Sequence, residues 1–337
     1  MYKLHTKLVD QQFALSRKLY SSTPQEKKMA NEINIFHNPS TARSSILQIY
    51  DKTEESLSEE VQKLKDWMKT QHHLPEMLDD HSVENFLILN KFRTERAKKG
   101  IDMYYSFRSK LPDFAGTMNP TCPNMKQVAE MMYYVPLPKM TKEMYRVMIY
   151  KSRIKGKIEQ VDPYDVFRMS TNLAEMRLKQ DIMFGEVIIF DMDGMTIPFL
   201  SKLTPVYAAK TMTVYKVYSL PLKRVFIVNT VPYVSTLMTV IKAFLKPKIF
   251  ERIHVCKDTS ILREHLPLEM LPSDYGGTEK SIEQLHELTQ RRFRSYQERF
   301  DLLDELRVNE SLRPSELEKE NDEILGFHGN FKKLDID

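Results

Sequence analysis

Two acidic residues at the end of an apolar run have a spacing that could do chemistry. Residues 186–196 read EVIIFDMDGMT, so that four apolar residues lead into Asp191, Met192, Asp193 and Gly194. Phosphatases of the haloacid dehalogenase type begin their nucleophile strand in this way. In such an enzyme Asp191 would attack a phosphoryl group, and Asp193 would act as acid and base beside a bound Mg²⁺.

The acidic pair that a phosphatase site needs downstream of the motif is missing from the sequence. Such a site also needs a downstream Ser or Thr, a Lys and an acidic pair that holds Mg²⁺. No Gly-Asp-x-x-x-Asp follows the motif, and Met195 stands where Thr or Val is usual. In the structural alternative, Asp191 and Asp193 lie where a buried strand emerges into a turn at Gly194. The residues favour this alternative and predict a protein that is not an enzyme.

Other residues that could do chemistry form weaker patterns. His72 and His73 stand in a predicted loop without other metal ligands nearby, so we expect a surface pair and no metal or cofactor. Nine glycines and the lack of a glycine-rich loop argue against a nucleotide site. The basic residues at 91–99 lack interleaved aromatic residues, so we expect a solvated helix face and no nucleic-acid partner.

Composition and charge indicate a globular protein. The 337 residues are 42% hydrophobic and 28% charged, with a formal net charge of +4 that permits an anionic surface as partner. Cys122 and Cys256 lie too far apart in sequence to suggest a disulfide framework, which favours a reducing compartment. We see no signal peptide and no apolar run of about 20 residues that could span a bilayer. The sequence therefore predicts a cytoplasmic protein.

The pattern of elements divides the chain into four predicted regions. Residues 1–56 are polar, contain the loop-like NPSTARSS, and are expected to form an extension with one short helix near residues 9–20. Residues 57–130 show helical periodicity, with Ser58 as a predicted N-cap, and predict a helical bundle. Proline-containing stretches, including VPLP, separate this bundle from residues 131–290. Residues 291–337 are predicted to form a C-terminal helix and a loose tail.

The region from residue 131 to 290 alternates short apolar runs with helical segments, which predicts an α/β fold. Strands are predicted at 145–150, 187–190, 225–228 and 252–256. Their alternation with helices predicts a mainly parallel sheet flanked by helices. Residues 231–252 combine a broad apolar helical face with a basic end, which suits a helix packed on a sheet or one that contacts a membrane. Periodicity leaves both alternatives open.

Several motifs, in order along the chain, resemble the CRAL-TRIO lipid-binding family. Residues 244–255 (FLKPKIFERIHV), 262–270 (LREHLPLEM) and 271–278 (LPSDYGGT) resemble its closing signature. The segment IFDMDG resembles the central strand of the family, where this acidic motif is common and non-catalytic. Residues 80–114 resemble its N-terminal three-helix module. The resemblance covers roughly residues 57–290 and is greatest to the tocopherol-transfer and retinaldehyde-binding members.

The resemblance implies a hydrophobic pocket between the sheet and a mobile gate helix, which holds one small lipophilic ligand. The residues implied as its lining are Tyr150, Phe167, Ser170, Ala174, Phe190, Ile197, Leu203, Val214, Val234, Leu237, Ile241, Phe244 and Leu245. A phosphoinositide headgroup site beside the gate is implied at Lys223, Arg224, Lys248 and Arg252.

The function so implied is the non-catalytic binding and intracellular transfer of a tocopherol-, retinoid- or carotenoid-like ligand. Release would occur through the gate helix at membranes that contain phosphoinositides, by a monomer that contacts the membrane transiently and peripherally. A sterol-like lipid or a phospholipid also remains open as ligand. The alternatives are a docking module in signalling or trafficking and, third, the Mg²⁺-dependent phosphatase.

Overall fold

The first part of the molecule is a set of packed helices. In the computed structural model the described residues are 35–204, 207, 217–218, 220–231, 233–242 and 247–314, so the helix predicted near residues 9–20 lies outside them. The helices that precede the sheet are α1 Ala42–Ile49, α2 Glu54–Thr70, α3 Asp80–Leu89, α4 Thr94–Lys110, α5 Pro112–Ala115 and α6 Pro123–Met131.

Helix α2 begins earlier than the sequence predicts, because Thr53 and not Ser58 is its cap. The Thr53 hydroxyl accepts a hydrogen bond from the Ser56 N–H at 3.2 Å, and the Ser56 hydroxyl accepts one from the Thr53 N–H at 2.9 Å. This capping box satisfies two backbone donors that the helix leaves without partners.

The segment before α2 is part of the packed core. Residues 1–56 were expected to form a polar extension, but Phe36, Ile46 and Leu47 are buried at 1, 0 and 4% exposure. Helix α1 is too short to show a clear period in a polar sequence, which is why the prediction missed it.

Five strands form one sheet in the order β1-β2-β3-β4-β5. The strands are β1 Met132–Met140, β2 Arg146–Ser152, β3 Glu186–Asp191, β4 Leu222–Val228 and β5 Ile253–Val255. Strands β1 and β2 are antiparallel, and the other neighbours are parallel, which confirms the predicted α/β class and mainly parallel sheet. The stretch VPLP, expected to separate two regions, lies within β1. Proline is tolerated there because β1 is an edge strand.

Helices pack on both faces of the sheet. Those that follow β2 are α7 Pro163–Gln180, α8 Ile197–Ser201, α9 Tyr233–Lys242, α10 Pro247–Phe250, α11 Ile261–His265, α12 Ile282–Ser295 and α13 Gln297–Glu305. Because successive side chains of a strand point to opposite faces, Ile188 packs with residues of α7 and α9, whereas Ile189 packs with Ile282 and Leu285 of α12.

The end of the described chain folds back onto the first helices. The side chain of Arg313 is 1% exposed and donates to both carboxylate oxygens of Asp102 at 2.6 Å. The Nε2 atom of His73 lies 2.5 Å from the same carboxylate, and His73 is buried. The expectation that His73 belongs to a surface pair, and that Arg313 belongs to a loose tail, is therefore wrong.

Candidate ligand cavity and adjoining basic cluster

The carboxylate of Asp191 is fully occupied by neighbouring donors. Its Oδ1 atom accepts hydrogen bonds from the Asp193 N–H at 2.9 Å and the Asn229 amide at 2.7 Å. Its Oδ2 atom accepts from Lys151 at 2.7 Å and from the Tyr275 hydroxyl at 2.9 Å. The residue is 0% exposed. Four contacts fix this side chain at the point where β3, β4 and a later loop meet, which is the geometry of a structural support.

The turn after Asp191 has the conformation that the sequence suggests. Gly194 has φ of 84°, in the left-handed region that glycine adopts without strain. The Asp193 carboxylate points outward, 2.8 Å from Lys155, with 38% of its side chain exposed. In the described part of the chain, no group of three or more His, Cys, Asp or Glu side chains could hold a metal ion.

An apolar cavity of about 260 Å³ lies between the sheet and the helices on one face. Its described lining comprises Met132, Tyr150, Val166, Phe167, Ile188, Phe190, Met192, Met195, Phe199, Leu200, Leu203, Tyr207, Leu222, Val225, Ile227, Val234, Leu237, Met238, Ile249 and Ile253. Protein interiors are close-packed, with few voids larger than a water molecule. A space of this size, lined by apolar side chains on every described element around it, is therefore a candidate binding site.

The lining offers an enclosed molecule few polar partners. The Tyr207 hydroxyl donates to the Pro163 carbonyl at 3.1 Å, and burial raises the pKa of Tyr207, so its proton is retained. The ring of Tyr150 packs against Phe190 with 4.8 Å between centroids. A ligand that buries about 300 Å² of apolar surface here would gain roughly 7 kcal/mol from the hydrophobic effect.

The structure brings six of the predicted lining residues to this cavity. They are Tyr150, Phe167, Phe190, Leu203, Val234 and Leu237. Ser170 and Ala174 instead line a smaller adjoining cavity, and Ile197 lies at the surface with 57% exposure. Val214, Phe244 and Leu245 lie outside the described residues, as does the side chain of Ile241.

Several lining residues were missed, although the sequence carries a signal for some of them. Ile188 stands two positions before Phe190, and Val225 stands two before Ile227, so the period of a strand places each pair on one face. Met195 gave no such signal, because it follows the turn in a segment without a period. Ile197, predicted to line the cavity, lies outside it. Helix α8 is so short that the Thr196 cap, and not periodicity, sets the orientation of the helix.

Family models match two parts of the chain. Residues 130–277, which include the sheet and the cavity, match the CRAL/TRIO domain. The chain carries a CRAL/TRIO domain. Residues 53–125, which contain α2 to α5, match the family described as Pinta-like, UBA domain.

Three curated proteins resemble part of the chain. Proteins named alpha-tocopherol transfer protein-like from Homo sapiens and Pongo abelii are 25% identical over 223 residues, which cover 65% of this chain. The match spans 65% of their own length, less than two thirds; for the Mus musculus protein of the same name it spans 64%. The crystal structure of Sfh5 covers 72% of this chain and 91% of its own, at 13% identity and a TM-score of 0.39.

The cavity lies within the CRAL/TRIO match, and its lining is of the apolar kind that a small lipophilic molecule would require. Among the helices that the structure describes, none is both long and apolar enough to cross a membrane.

Four basic residues lie in or just before β4 and β5, next to residues that line the cavity. We call Lys223, Arg224, Lys248 and Arg252 the basic cluster. The Val225 N–H donates to the Arg252 carbonyl at 2.9 Å, which brings Arg252, the residue before β5, close to Arg224 of β4. The Lys223 ammonium lies 5.2 Å from the centre of the Tyr145 ring, and Arg252 Nη1 donates to the Leu222 carbonyl at 2.5 Å.

The electrostatics of Tyr145 show how close these charges are. Burial is the main cause that raises the pKa of Tyr145, whereas the positive charges of Arg224 and Arg252 oppose the rise. Both guanidinium groups therefore act on the same phenol, at the end of the sheet where β2 and β4 begin.

The basic cluster and the cavity wall share the same short stretch of backbone. Ile249 and Ile253 line the cavity. Their chain neighbours Lys248 and Arg252 carry the positive charge, with Lys248 exposed and Arg252 half-buried. A shift of this segment toward a bound anion would therefore move part of the cavity wall as well.

Proposed function

We propose that this protein is a non-catalytic carrier, which binds one small lipophilic molecule in the cavity and releases it at membranes that contain phosphoinositides. The observation that carries the proposal is the apolar cavity of about 260 Å³ in a CRAL/TRIO domain. The proposed carrier acts in the cytoplasm and contacts membranes transiently. It needs no second copy, because the cavity is lined within one chain.

Helix α9 is the proposed gate. Val234, Leu237 and Met238 line the cavity on one side of this helix. Thr236 and Thr239, on the other side, are exposed. The helix therefore stands between the cavity and the exterior, and its displacement would open a path for an apolar ligand.

The basic cluster supports release at an anionic membrane. A headgroup can shift α9 toward an open position only if it binds the open form more tightly than the closed form. Lys248 and Arg252 follow α9 along the chain and directly precede the cavity-lining Ile249 and Ile253, respectively. Hydrogen bonds between charged groups contribute about 1.5–3 kcal/mol each, enough for two contacts to change the gate population more than tenfold.

The occupied carboxylate of Asp191 supports a protein without catalysis. A nucleophilic carboxylate needs a free oxygen, whereas both oxygens of Asp191 have partners within 2.9 Å. The tocopherol-, retinoid- and carotenoid-like ligands stay as hypotheses for the cargo.

Native mass spectrometry of the purified full chain tests the binding function. We expect one lipophilic molecule per chain, which organic extraction removes and which mixed lipid vesicles restore. A chain that arrives empty and takes up no lipid would contradict the carrier and favour a docking module.

Transfer to liposomes tests the role of the basic cluster. In the variant Lys248→Ala/Arg252→Ala we expect unchanged ligand affinity in solution and a loss of phosphoinositide-stimulated transfer of at least about tenfold, since two charge-assisted contacts are removed. The matched control is Arg291→Ala/Arg294→Ala. It removes the same charge from exposed positions of α12, a helix that packs on β1 at the opposite edge of the sheet. Equal transfer by both variants would contradict the proposed site.

A further inference from the structure

A backbone irregularity at the start of β4 sets Lys223 apart from its neighbours. Leu222 lies opposite Glu186 of β3, whereas Arg224 lies opposite Val187, the next residue of β3. Lys223 is therefore the extra residue of a β-bulge. Such bulges occur at sheet edges and next to functional sites, where they redirect a side chain. The regular alternation of the strand thus does not determine where the Lys223 side chain points.

Two aromatic rings hold this side chain. The Lys223 ammonium lies 5.2 Å from the ring centre of Tyr145 and 5.7 Å from that of Phe184, both within the range of a cation–π interaction. The two rings are stacked, with 6.0 Å between centres and 23° between planes. We call Tyr145 and Phe184 the aromatic clamp. Tyr50, which follows α1, supports the clamp by packing edge-on against Phe184 at 6.1 Å.

Gly185 provides the space in which the lysine and the clamp meet. A Cβ atom on this residue would lie 2.6 Å from Cδ1 of Tyr145, and 2.8 and 2.9 Å from Cε and Cγ of Lys223. Carbon atoms in favourable contact are about 3.5–4.0 Å apart. The stem of Lys223 and the edge of the Tyr145 ring therefore rest on the bare backbone of Gly185. Any larger residue at this position would displace the lysine or the ring.

The clamp adjoins the arginines of the basic cluster. Burial first, and then the charge of Glu143, raise the pKa of Tyr145, while the charges of Arg224 and Arg252 oppose the rise. Both arginines therefore lie near the phenol whose ring contacts Lys223. The clamp thus holds one cation of the cluster next to two others.

We propose that Tyr145 and Phe184 are positioning residues of the basic cluster, which hold the Lys223 ammonium in place before a phosphorylated headgroup binds. The inference rests on the proposed function and adds two uncharged residues to its anion site. Fixing a mobile lysine side chain on an anion weakens binding by roughly two- to tenfold. The clamp removes much of this loss, because it fixes Lys223 in the free protein. An ammonium beside the rings still has N–H donors for a phosphate.

The clamp should favour a phosphorylated headgroup over a diffuse anionic surface. A phosphate group is compact and carries about two negative charges, so individual side chains in fixed positions contact it. Attraction to a bilayer of singly charged lipids depends on the total charge near the surface and less on the position of one ammonium. The clamp therefore adds selectivity without changing the net charge.

A double-mutant cycle tests the inference. Binding of the purified full chain to phosphatidylcholine vesicles that contain a phosphatidylinositol bisphosphate is measured for wild type, Tyr145→Leu/Phe184→Leu, Lys223→Ala and the triple variant. We expect loss of the rings to weaken binding roughly two- to tenfold when Lys223 is present and to have little effect when it is absent. Vesicles with phosphatidylserine at the same total charge should bind wild type and the ring variant alike.

Three further variants separate positioning from a general structural role. Tyr145→Phe keeps both rings and should bind like wild type. Gly185→Ala keeps the rings and the charges but places a methyl group against Lys223 and Tyr145, so it should weaken phosphoinositide binding as the loss of the rings does. The matched control is Trp67→Leu, which removes a ring 5.8 Å from the Lys98 ammonium on the helical bundle and should leave binding unchanged.

The outcomes separate this inference from the proposed function. If loss of the rings weakens binding equally with and without Lys223, or not at all, the clamp is refuted while the proposed function stands. If wild type binds phosphoinositide and phosphatidylserine vesicles equally, the headgroup site fails and the clamp with it, whereas a lipophile found by native mass spectrometry would still support the carrier. Should the ring variant not fold, Gly185→Ala decides, and wild-type binding by that variant refutes the clamp.

Discussion

The two faces of the sheet have similar residues and different packing. On the face that we call the cavity face, Ile188 and Phe190 border an apolar space of about 260 Å³. On the opposite face, which we call the packed face, Val187 and Ile189 are 2 and 0% exposed and lie in a filled core. Residues on the two faces alternate along a single strand.

The difference arises from the layers that cover the sheet. On the packed face, Tyr275, Ile282 and Leu285 fill the space against the strands. On the cavity face, Phe167 of α7 and Leu237 of α9 stand on two sides of the space without closing it. Parallel strands are apolar on both faces, so strand composition cannot reveal which face is filled. Whether a cavity forms therefore depends on the helices that cover the sheet and not on the strands.

The largest expected effect lies at the end of the packed face, at Asp191. The change Asp191→Ala removes one carboxylate from Lys151, Tyr275 and Asn229 and leaves the buried donors without a partner. We expect the free energy of unfolding to fall by about 3–5 kcal/mol. Urea titration followed by circular dichroism measures it.

The other acid of the motif provides the matched control. Asp193→Ala removes ion pairs with Lys155 at 2.8 Å and Lys151 at 3.6 Å, and 38% of the Asp193 side chain is exposed, so its loss should cost less than about 1 kcal/mol. Similar losses for both variants would show that Asp191 is not a special support. If the wild type hydrolyses phosphate esters in the presence of Mg²⁺ and Asp191→Ala does not, the result would support the phosphatase alternative.

The second prediction compares adjacent residues on the two faces. Ile189→Phe places extra volume in a filled core, which typically costs about 1–3 kcal/mol of unfolding free energy. Ile188→Phe directs the same volume into the cavity and should cost less than about 1 kcal/mol, while it lowers ligand affinity by competing for the space. Thermal unfolding and ligand titration of both variants provide the two measurements.

One result would contradict the difference between the cavity face and the packed face. If Ile188→Phe destabilises the protein as much as Ile189→Phe and ligand binding is unchanged, the space beside Ile188 is ordinary core. Because the two residues are neighbours on β3 with the same side chain, differences in strand propensity do not contribute.

Much of the fold follows from local patterns in the sequence. The runs at 187–190 and 225–228 became β3 and β4, since a buried parallel strand is continuously apolar. Strand β1 was missed because Pro136 and Pro138 argue against a strand, and only its position at the edge makes them acceptable. Arg313 was missed because its partner Asp102 lies 211 residues away.

The candidate site was predictable to a smaller extent. Resemblance to a family located Phe167, Phe190 and Leu237, which line the cavity. It could not locate the buried ion pair of Arg177 and Glu186 beside the cavity, since one residue lies on a helix and the other on a strand, and they meet only through tertiary packing. In sequence both look like charged residues at the ends of elements.

The smallest expected effect is a pH dependence confined to the packed face. His286 of α12 lies against Tyr133, with 5.4 Å between ring centres, and is 4% exposed. Burial above all, and the nearby charge of Arg153, lower its pKa to about 4, while Glu283 opposes them. A histidine in the unfolded chain has a pKa near 6.5.

The sign follows from these two values. The unfolded chain takes up a proton on His286 near pH 6.5, whereas the folded protein does so only near pH 4, so the stability is complete above pH 6.5 and falls as the pH drops between them. From pH 7.5 to pH 6 we expect a loss of about 1 kcal/mol of unfolding free energy. The variant His286→Phe keeps the ring contact and should lack this loss.

His254 is the matched control, because its pKa is also lowered, by burial first and then by His265 and Arg224, but it is only half-buried on β5. His254→Phe should therefore keep most of the wild-type slope between pH 7.5 and pH 6 in urea titrations. If instead His286→Phe keeps the full slope, the imidazole of His286 titrates normally in the folded protein. Water would then reach the packed face, and the contrast between the two faces would be smaller than the structure shows.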